Sequence, residues 1–259
     1  MRLFHVKKRC RIVAVNFTYK RKKGLIGSLY YRYMRYAVGN VDGLHVLSRL
    51  YAERCSKDLG VDIGRFIVTH FGVPDTYAEW NDLKTERDGY VLSIGRSNRD
   101  FDFLVDVWSD ERMADVPLVI IADSWKPSKE LPKNVTWLND VVGDASKPWI
   151  KGCKMMVLPI SDGNIASGDT VLLTAMMGEK LVVVTKPSTL AEMYIKHGEN
   201  GLALEKETNI FIDNVKGLFF DEEKIRTIGG AARKSYLENF SREAMGKAVG
   251  TSIKKIFNK

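Results

Sequence analysis

A chain of 259 residues, 45% hydrophobic and 28% charged, has the composition of an ordinary folded protein and the length for one large or two modest domains; disordered, collagen-like and coiled-coil classes are excluded. No apolar run approaches the ~20 residues of a membrane-crossing helix. The net charge of +8 is uneven: residues 1–60 hold 14 of the 40 Lys and Arg and three of the 32 acids, so this segment carries +11 and the remainder −3.

A positive end on a nearly neutral body suits acidic lipid, nucleic acid or an anionic substrate, or else is a solubilising face. The basic stretch has no RNP, zinc-finger or helix-turn-helix pattern, which disfavours nucleic acid. Polar residues interrupt the apolar stretches of residues 1–24, so no secretory signal is expected. Cys10, Cys55 and Cys153 are far apart and form no CxxC pair, which reads as reduced thiols of a cytosolic protein.

In chain order, short β-rich runs alternate with helical periods, the pattern of βαβ units and a parallel sheet. Strands are expected at 11–17, 43–48 and 65–68, with helices at 26–38 and 49–59, the second stopped by Gly60. The charged run 20–24 reads as a loop. Residues 72–89 are rich in turn formers and read as a linker. A second series follows, with strands at 90–94, 118–122, 135–138, 155–158 and 181–185. Helices are expected within 101–108, near 169–178 and 188–197, through most of 206–239, and from Ser241, as a cap, to Phe257. The expected architecture is α/β with two parallel-sheet units of unequal size, whose ligands bind at the carboxyl ends of the strands.

Two loops carry chemistry. Gly95-Arg96-Ser97-Asn98-Arg99-Asp100 follows a strand directly; a glycine there permits close backbone approach, and two arginines three apart suit phosphate oxygens, while a solvated helix start is the plainer reading. Residues 161–170, with Gly163 and Gly168, lead into a helix whose first N–H groups can receive an anion, unless Ser167 or Asp169 simply caps it. His5, His45, His70 and His197 lack metal-ligand spacing, and no Ser/His/Asp or Cys/His set is legible; His45 reads as a satisfied core residue and His70 as a weaker ligand candidate. Residues 30–36 interleave tyrosine with arginine, which suits either a membrane interface or a domain-packing helix.

Taken in order, the segments from about Val41 to Glu205 resemble nucleotide-sugar glycosyltransferases of the GT-B fold, in particular glycosyltransferase family 4 (glycosyl transferases group 1). The resemblance rests on Val41-Asp-Gly-Leu-His-Val-Leu-Ser48, the hinge-like Phe66-Ile-Val-Thr-His-Phe-Gly-Val73, and the loop Ser93-Ile-Gly-Arg-Ser-Asn-Arg-Asp100. It continues through Val135-Thr-Trp-Leu-Asn139, Met156-Val-Leu-Pro-Ile-Ser161, Leu172-Leu-Thr-Ala-Met-Met-Gly178, Lys180-Leu-Val-Val-Val184, Leu190-Ala-Glu192 and His197-Gly-Glu-Asn-Gly201.

The resemblance implies two Rossmann-like domains, the N-terminal one incomplete: a partial acceptor-side domain at 1–80, a nucleotide-sugar domain at 81–239, and a helix at 240–259 packing back on the first. It implies that Gly95, Arg96 and Arg99 grip the donor diphosphate. The strand ends at Asp123, Leu138 and Asn139 hold the base, and Ser167, Gly168, Asp169 and Thr170 meet the phosphates. The two glutamates of the family's donor motif fall on Ala166 and Thr174, so both carboxylates are absent and Thr174 offers one hydroxyl instead. Catalytic residues are not identified. The implied activity is transfer of a sugar from a UDP- or GDP-linked donor to a polysaccharide or lipid-linked acceptor, without cofactor or metal; the basic residues 1–60, by their charge, add the expectation of an anionic membrane surface at its cytoplasmic face. The alternative is a non-catalytic nucleotide-sugar-binding subunit that needs a partner chain to supply the missing N-terminal half.

Overall fold

The computed structural model describes residues 10–163, 165 and 167–257. The chain divides into two compact units. One is Val73–Ser241; the other is formed by the residues before Val73 and after Ser241.

In the smaller unit, strands β1 (Val13–Ala14), β2 (Gly43–Val46) and β3 (Phe66–Val68) form a parallel sheet in that order. Helix α1 (Gly24–Gly39) and helix α2 (Arg49–Leu59) connect them. Helix α2 starts at Ser48, whose side chain accepts the Tyr51 N–H, and stops at Gly60 with φ +65°. The final helix of the chain, Arg242–Phe257, packs against β2 and β3. Leu44, Val38, Cys55, Leu59 and Val61 fill the core of this unit. The strand expected over 11–17 shrinks to two residues because Asn16 turns the backbone to φ +53°. Arg2, Lys7, Lys8 and Arg9 of the basic segment, and His5, lie outside the described residues.

His45 is the buried core residue that its apolar strand predicts. Its Nε2 meets the Thr69 hydroxyl at 2.8 Å, and its Nδ1 accepts the Asn16 N–H at 3.1 Å. Burial pushes the pKa of this imidazole below its ordinary value.

The larger unit is built on six parallel strands: β4 (Tyr90–Ile94), β5 (Leu118–Ile121), β6 (Val135–Leu138), β7 (Cys153–Leu158), β8 (Leu181–Lys186) and β9 (Leu202–Glu205). The sheet runs in the order β6-β5-β4-β7-β8-β9. Neighbouring residues along the central strands point to opposite faces. Yet Val91, Leu118, Met155 and Val183, and their alternates Leu92, Val119, Met156 and Val184, are all fully buried, so helices cover the sheet on both sides. These are helices α3 (Phe101–Trp108), α4 (Lys147–Gly152), α5 (Asp169–Met177), α6 (Thr189–Tyr194), α7 (Thr208–Phe219) and α8 (Glu222–Ser235); the chain's last helix is α9.

The strand order reverses between β4 and β7. In an open α/β sheet the loops after two such strands diverge to opposite faces, and the crevice between them receives the ligand. Both candidate loops follow these strands.

Residues 72–89 are not a free linker. The Val73 N–H donates to the Phe240 carbonyl, and Tyr77–Asp82 forms a 3₁₀ helix whose Trp80 is buried. The boundary of the larger unit therefore falls at Val73 rather than after residue 80. Two elements go unmarked in the sequence. The helix Lys147–Gly152 is short and carries a proline in its first turn, and β9 reads Leu-Ala-Leu-Glu, a tetrad with no β-branched residue.

Candidate functional site

The two loops at the switch point are joined edge to edge. Asn98 sits at φ +55°, a region where the short polar side chain of asparagine is tolerated. Its Nδ2 donates to the Asp162 carbonyl at 3.0 Å and its Oδ1 accepts the Asp162 N–H at 2.8 Å. Asp100 N–H bonds the Pro159 carbonyl at 2.8 Å, and Arg99 pairs with Ile160 in an isolated antiparallel bridge. With the backbone held in this way, the side chain of Arg99 turns inward between the loops.

Arg99 runs from Gly95 to Gly168. A Cβ at Gly95 would sit 2.9 Å from the Cγ and Nε of Arg99, and one at Gly168 would overlap the guanidinium. Gly168, at φ +99°, immediately precedes α5, and among the described residues no side chain caps that helix. The nearest hydrogen bonds of the guanidinium are long, from Nη1 to the carbonyls of Ser97 at 3.3 Å and Asn98 at 3.4 Å. Among the described residues its Nε is buried without a partner, as is the Ser167 hydroxyl. Burial lowers the Arg99 pKa to about 10, opposed by the nearby Asp169 carboxylate; the group is charged at neutral pH. A desolvated cation, an open helix N-terminus and two unsatisfied polar atoms around one glycine make a place prepared for an anion.

Asp169 stands at the start of α5, where its own charge opposes an anion. One oxygen of this carboxylate accepts the Tyr194 hydroxyl at 2.6 Å. Thr170 is exposed, and its carbonyl accepts the Thr174 hydroxyl at 2.7 Å, so that hydroxyl serves the helix rather than pointing as a free donor. Ala166 lies outside the described residues.

Arg96 is placed differently. It is largely exposed, at 76%, and its fork lies on Asp123, with Nε to Oδ1 at 3.1 Å and Nη2 on Oδ2. The guanidinium holds the Asp123 carboxyl below its usual pKa. Leu138 and Asn139 close β6 beside this pair, where the Ala122 N–H bonds the Leu138 carbonyl at 3.0 Å. The candidate residues thus form one group of Gly95, Arg99, Ser167, Gly168 and Asp169, and a second of Arg96 and Asp123 next to Leu138 and Asn139. Sequence reasoning passes over Asn98 and Tyr194, which position Arg99 and Asp169; the one available signal was an asparagine between two chemically conspicuous neighbours. Among the described residues, no three His, Cys, Asp or Glu side chains gather as a metal site.

A family model described as glycosyl transferases group 1 matches residues 88–221, just over half of the chain. The chain belongs to the glycosyl transferases group 1. The matched segment opens just before β4 and closes after α7, and it contains every residue of both groups.

Solved structures show the same fold. TarM of S. aureus aligns over 93% of this chain and 49% of its own, at 15% identity and a TM-score of 0.63. A glycosyltransferase from Rickettsia africae ESF-5 aligns over 88% and 67% at 15% identity, with a TM-score of 0.69. Anabaena Alr3699/HepE, solved in complex with UDP and glucose, aligns over 87% and 67% at 15% identity, with a TM-score of 0.63. The chain spans about half the length of TarM and about two thirds of the other two. No curated protein matches the sequence. The architecture is that of a GT-B glycosyltransferase, with two Rossmann-like parallel units of which the N-terminal is the smaller, as the sequence predicts; among the described residues the sheets have three and six strands, the sixth, β9, being the one the sequence leaves unmarked.

Proposed function

We propose that this group 1 glycosyltransferase binds the diphosphate of a UDP- or GDP-linked sugar between Arg99 and the start of α5, and transfers the sugar to a polysaccharide or lipid-linked acceptor at the inner face of a membrane. The observation that carries the reading is the Arg99 guanidinium lodged on Gly168 with its Nε unsatisfied. Departure of a nucleoside diphosphate leaves negative charge on the phosphate oxygens. A cation and helix N–H groups already fixed at that place stabilise the charge without reorganising, and do so most effectively where water is excluded. Arg99 is then the principal phosphate ligand, with Ser167, Gly168 and Thr170 along the same turn. The pair Arg96–Asp123, with Leu138 and Asn139, flanks the nucleoside end.

Similar structures support the donor class: HepE was solved with UDP and with UDP-glucose, and a TarM variant with UDP. Calorimetric titration of UDP and GDP into the protein tests the reading. Micromolar binding of one of them, lost in Arg99→Ala and largely retained in Arg96→Ala, is expected. Equal affinity in Arg99→Ala would move the diphosphate elsewhere.

A second reading is favoured by one specific departure, Ala166 and Thr174 where the family's donor motif carries glutamates. In that reading the chain is a nucleotide-sugar-binding subunit that needs a partner chain. One similar structure is that of the GtfA/B complex. Release of free sugar from the donor by the purified chain alone decides for the enzyme; release only when a second gene product is added decides for the subunit.

A further inference from the structure

We propose that the outward face of α1 is a lipid-docking surface for anionic membranes. It deepens the proposed membrane location by naming the residues that would achieve it, and rests on that reading only for its biological purpose. At 100° per residue, Leu25, Ile26, Leu29, Tyr33 and Tyr36 fall within one ~100° arc of the helix. Leu25, Ile26, Leu29 and Tyr33 are 84%, 80%, 63% and 65% exposed. The opposite arc, with Gly27 and Val38 buried, packs into the unit's core. Helix α1 is therefore apolar on two sides, one of which faces water. A soluble surface helix presents charge there instead.

What borders the stripe identifies its occupant. Arg32 lies beside it on the helix, Arg35 lies further round over the Tyr31 ring, and Lys20, Arg21, Lys22 and Lys23 run into its N-terminus. The basic run is held against the helix through the half-buried rings that flank its packed side: the Arg21 guanidinium lies 4.3 Å from the Tyr31 ring centre and the Lys22 ammonium 5.0 Å from that of Tyr30. Among the described residues, no carboxylate pairs with any of these six cations. The first 41 residues of the chain contain no Asp or Glu at all. A second copy of this helix would meet uncompensated like charge. An anionic lipid surface supplies both complements, hydrocarbon for Leu25, Ile26 and Leu29, and phosphate for the cations, with the tyrosines at headgroup depth. Sixteen residues of helix span ~24 Å and carry arginines, so α1 lies on the bilayer and does not cross it; no described helix is long and apolar enough to cross.

Co-sedimentation with vesicles of phosphatidylcholine, alone or mixed equally with phosphatidylglycerol, tests the proposal. At least about tenfold tighter binding to the mixed vesicles is expected, weakening as salt is raised. Leu25→Ser with Leu29→Ser, both at exposed positions, should abolish the binding; Lys22→Gln with Lys23→Gln should reduce it severalfold. Equal binding to both vesicles, or binding unchanged in the leucine pair, overturns the proposal. So does a chain that stays in the supernatant yet self-associates through α1, seen in sedimentation velocity as a dimer that the leucine pair dissolves. UDP titration of the same samples keeps the two readings apart. A chain that pellets without binding UDP supports this proposal while defeating the donor site, and one that binds UDP but ignores both vesicles defeats this proposal alone.

Discussion

The guanidinium of Arg99 occupies the space above Gly168 that any larger residue would fill, and Gly168 itself sits at φ +99°, where L side chains are strained. One glycine thus does two things. It opens the turn into α5 and admits the cation to the start of that helix.

Gly168→Ala should therefore expel Arg99 from its seat. Backbone strain at such a position costs about 1–2 kcal/mol, and UDP or GDP affinity should fall by at least about tenfold, the scale of one lost charge-assisted hydrogen bond. Calorimetry and urea unfolding on one preparation measure both. An alanine variant with unaltered affinity would show that the diphosphate does not depend on this cation.

Asn98 offers a test that leaves every charge in place. Asn98→Ala deletes both bonds to Asp162 and puts a less tolerant residue at φ +55°. Nucleotide affinity should drop severalfold as the two loops separate, while Asn98→Gly, which restores the dihedral but not the bonds, should recover part of the stability and little of the affinity.

Trp80 packs on Gly178 so closely that a Cβ there would overlap its ring, and Lys151 donates to the Trp80 carbonyl at 2.6 Å and the Leu83 carbonyl at 2.7 Å. Gly178→Ala must displace the indole, and Trp80→Ala leaves a cavity; truncation of a buried Trp costs about 3–5 kcal/mol. Urea denaturation should show both variants destabilised, Trp80→Ala more than Gly178→Ala. A loss under about 1 kcal/mol in Trp80→Ala would mean that the 3₁₀ segment is dispensable to the larger unit.

Arg233 bonds Asp75 through both nitrogens, at 2.9 and 2.7 Å, donates to the Met177 carbonyl at 3.1 Å, and lies over the rings of Tyr77 and Tyr236. The guanidinium holds the Asp75 carboxyl below its ordinary pKa. Arg233→Met should destabilise by about 2–3 kcal/mol, because the half-buried carboxylate then lacks its partner. The sign of the pH effect follows: Asp75 contributes its stability above the ordinary carboxylate pKa and loses it as pH falls through the lowered folded value. In Arg233→Met this part of the acid limb should flatten.

His45 acts in the same direction at milder pH. Its imidazole is buried neutral, so below its ordinary value of 6.5 the unfolded chain binds a proton that the native state resists. The smaller unit should lose stability as pH falls through that value and keep it above. Hydrogen exchange of the β2 and β3 amides, followed from neutral to mildly acidic pH, should show protection falling in the wild type and a shallower fall in His45→Asn.

The sequence by itself determined the parallel α/β character, because runs such as Leu118–Ile121 and Leu181–Lys186 carry branched apolar residues on both faces of the strand, which only a sheet covered on both sides can bury. It also determined that loops after two strands hold glycine, arginine and a helix start. Only the tertiary structure decided that these two loops flank the reversal between β4 and β7, since strand order depends on how crossovers pack and not on local pattern. It decided as well between two arginines of identical chemistry. Asn98 at positive φ, anchored to Asp162 across the switch point, turns Arg99 inward onto Gly168, while Arg96 remains outside on Asp123. The direction of a side chain is fixed by bonds from the Asn98 amide to the backbone of a residue 64 positions away in sequence, and no spacing within one loop encodes them.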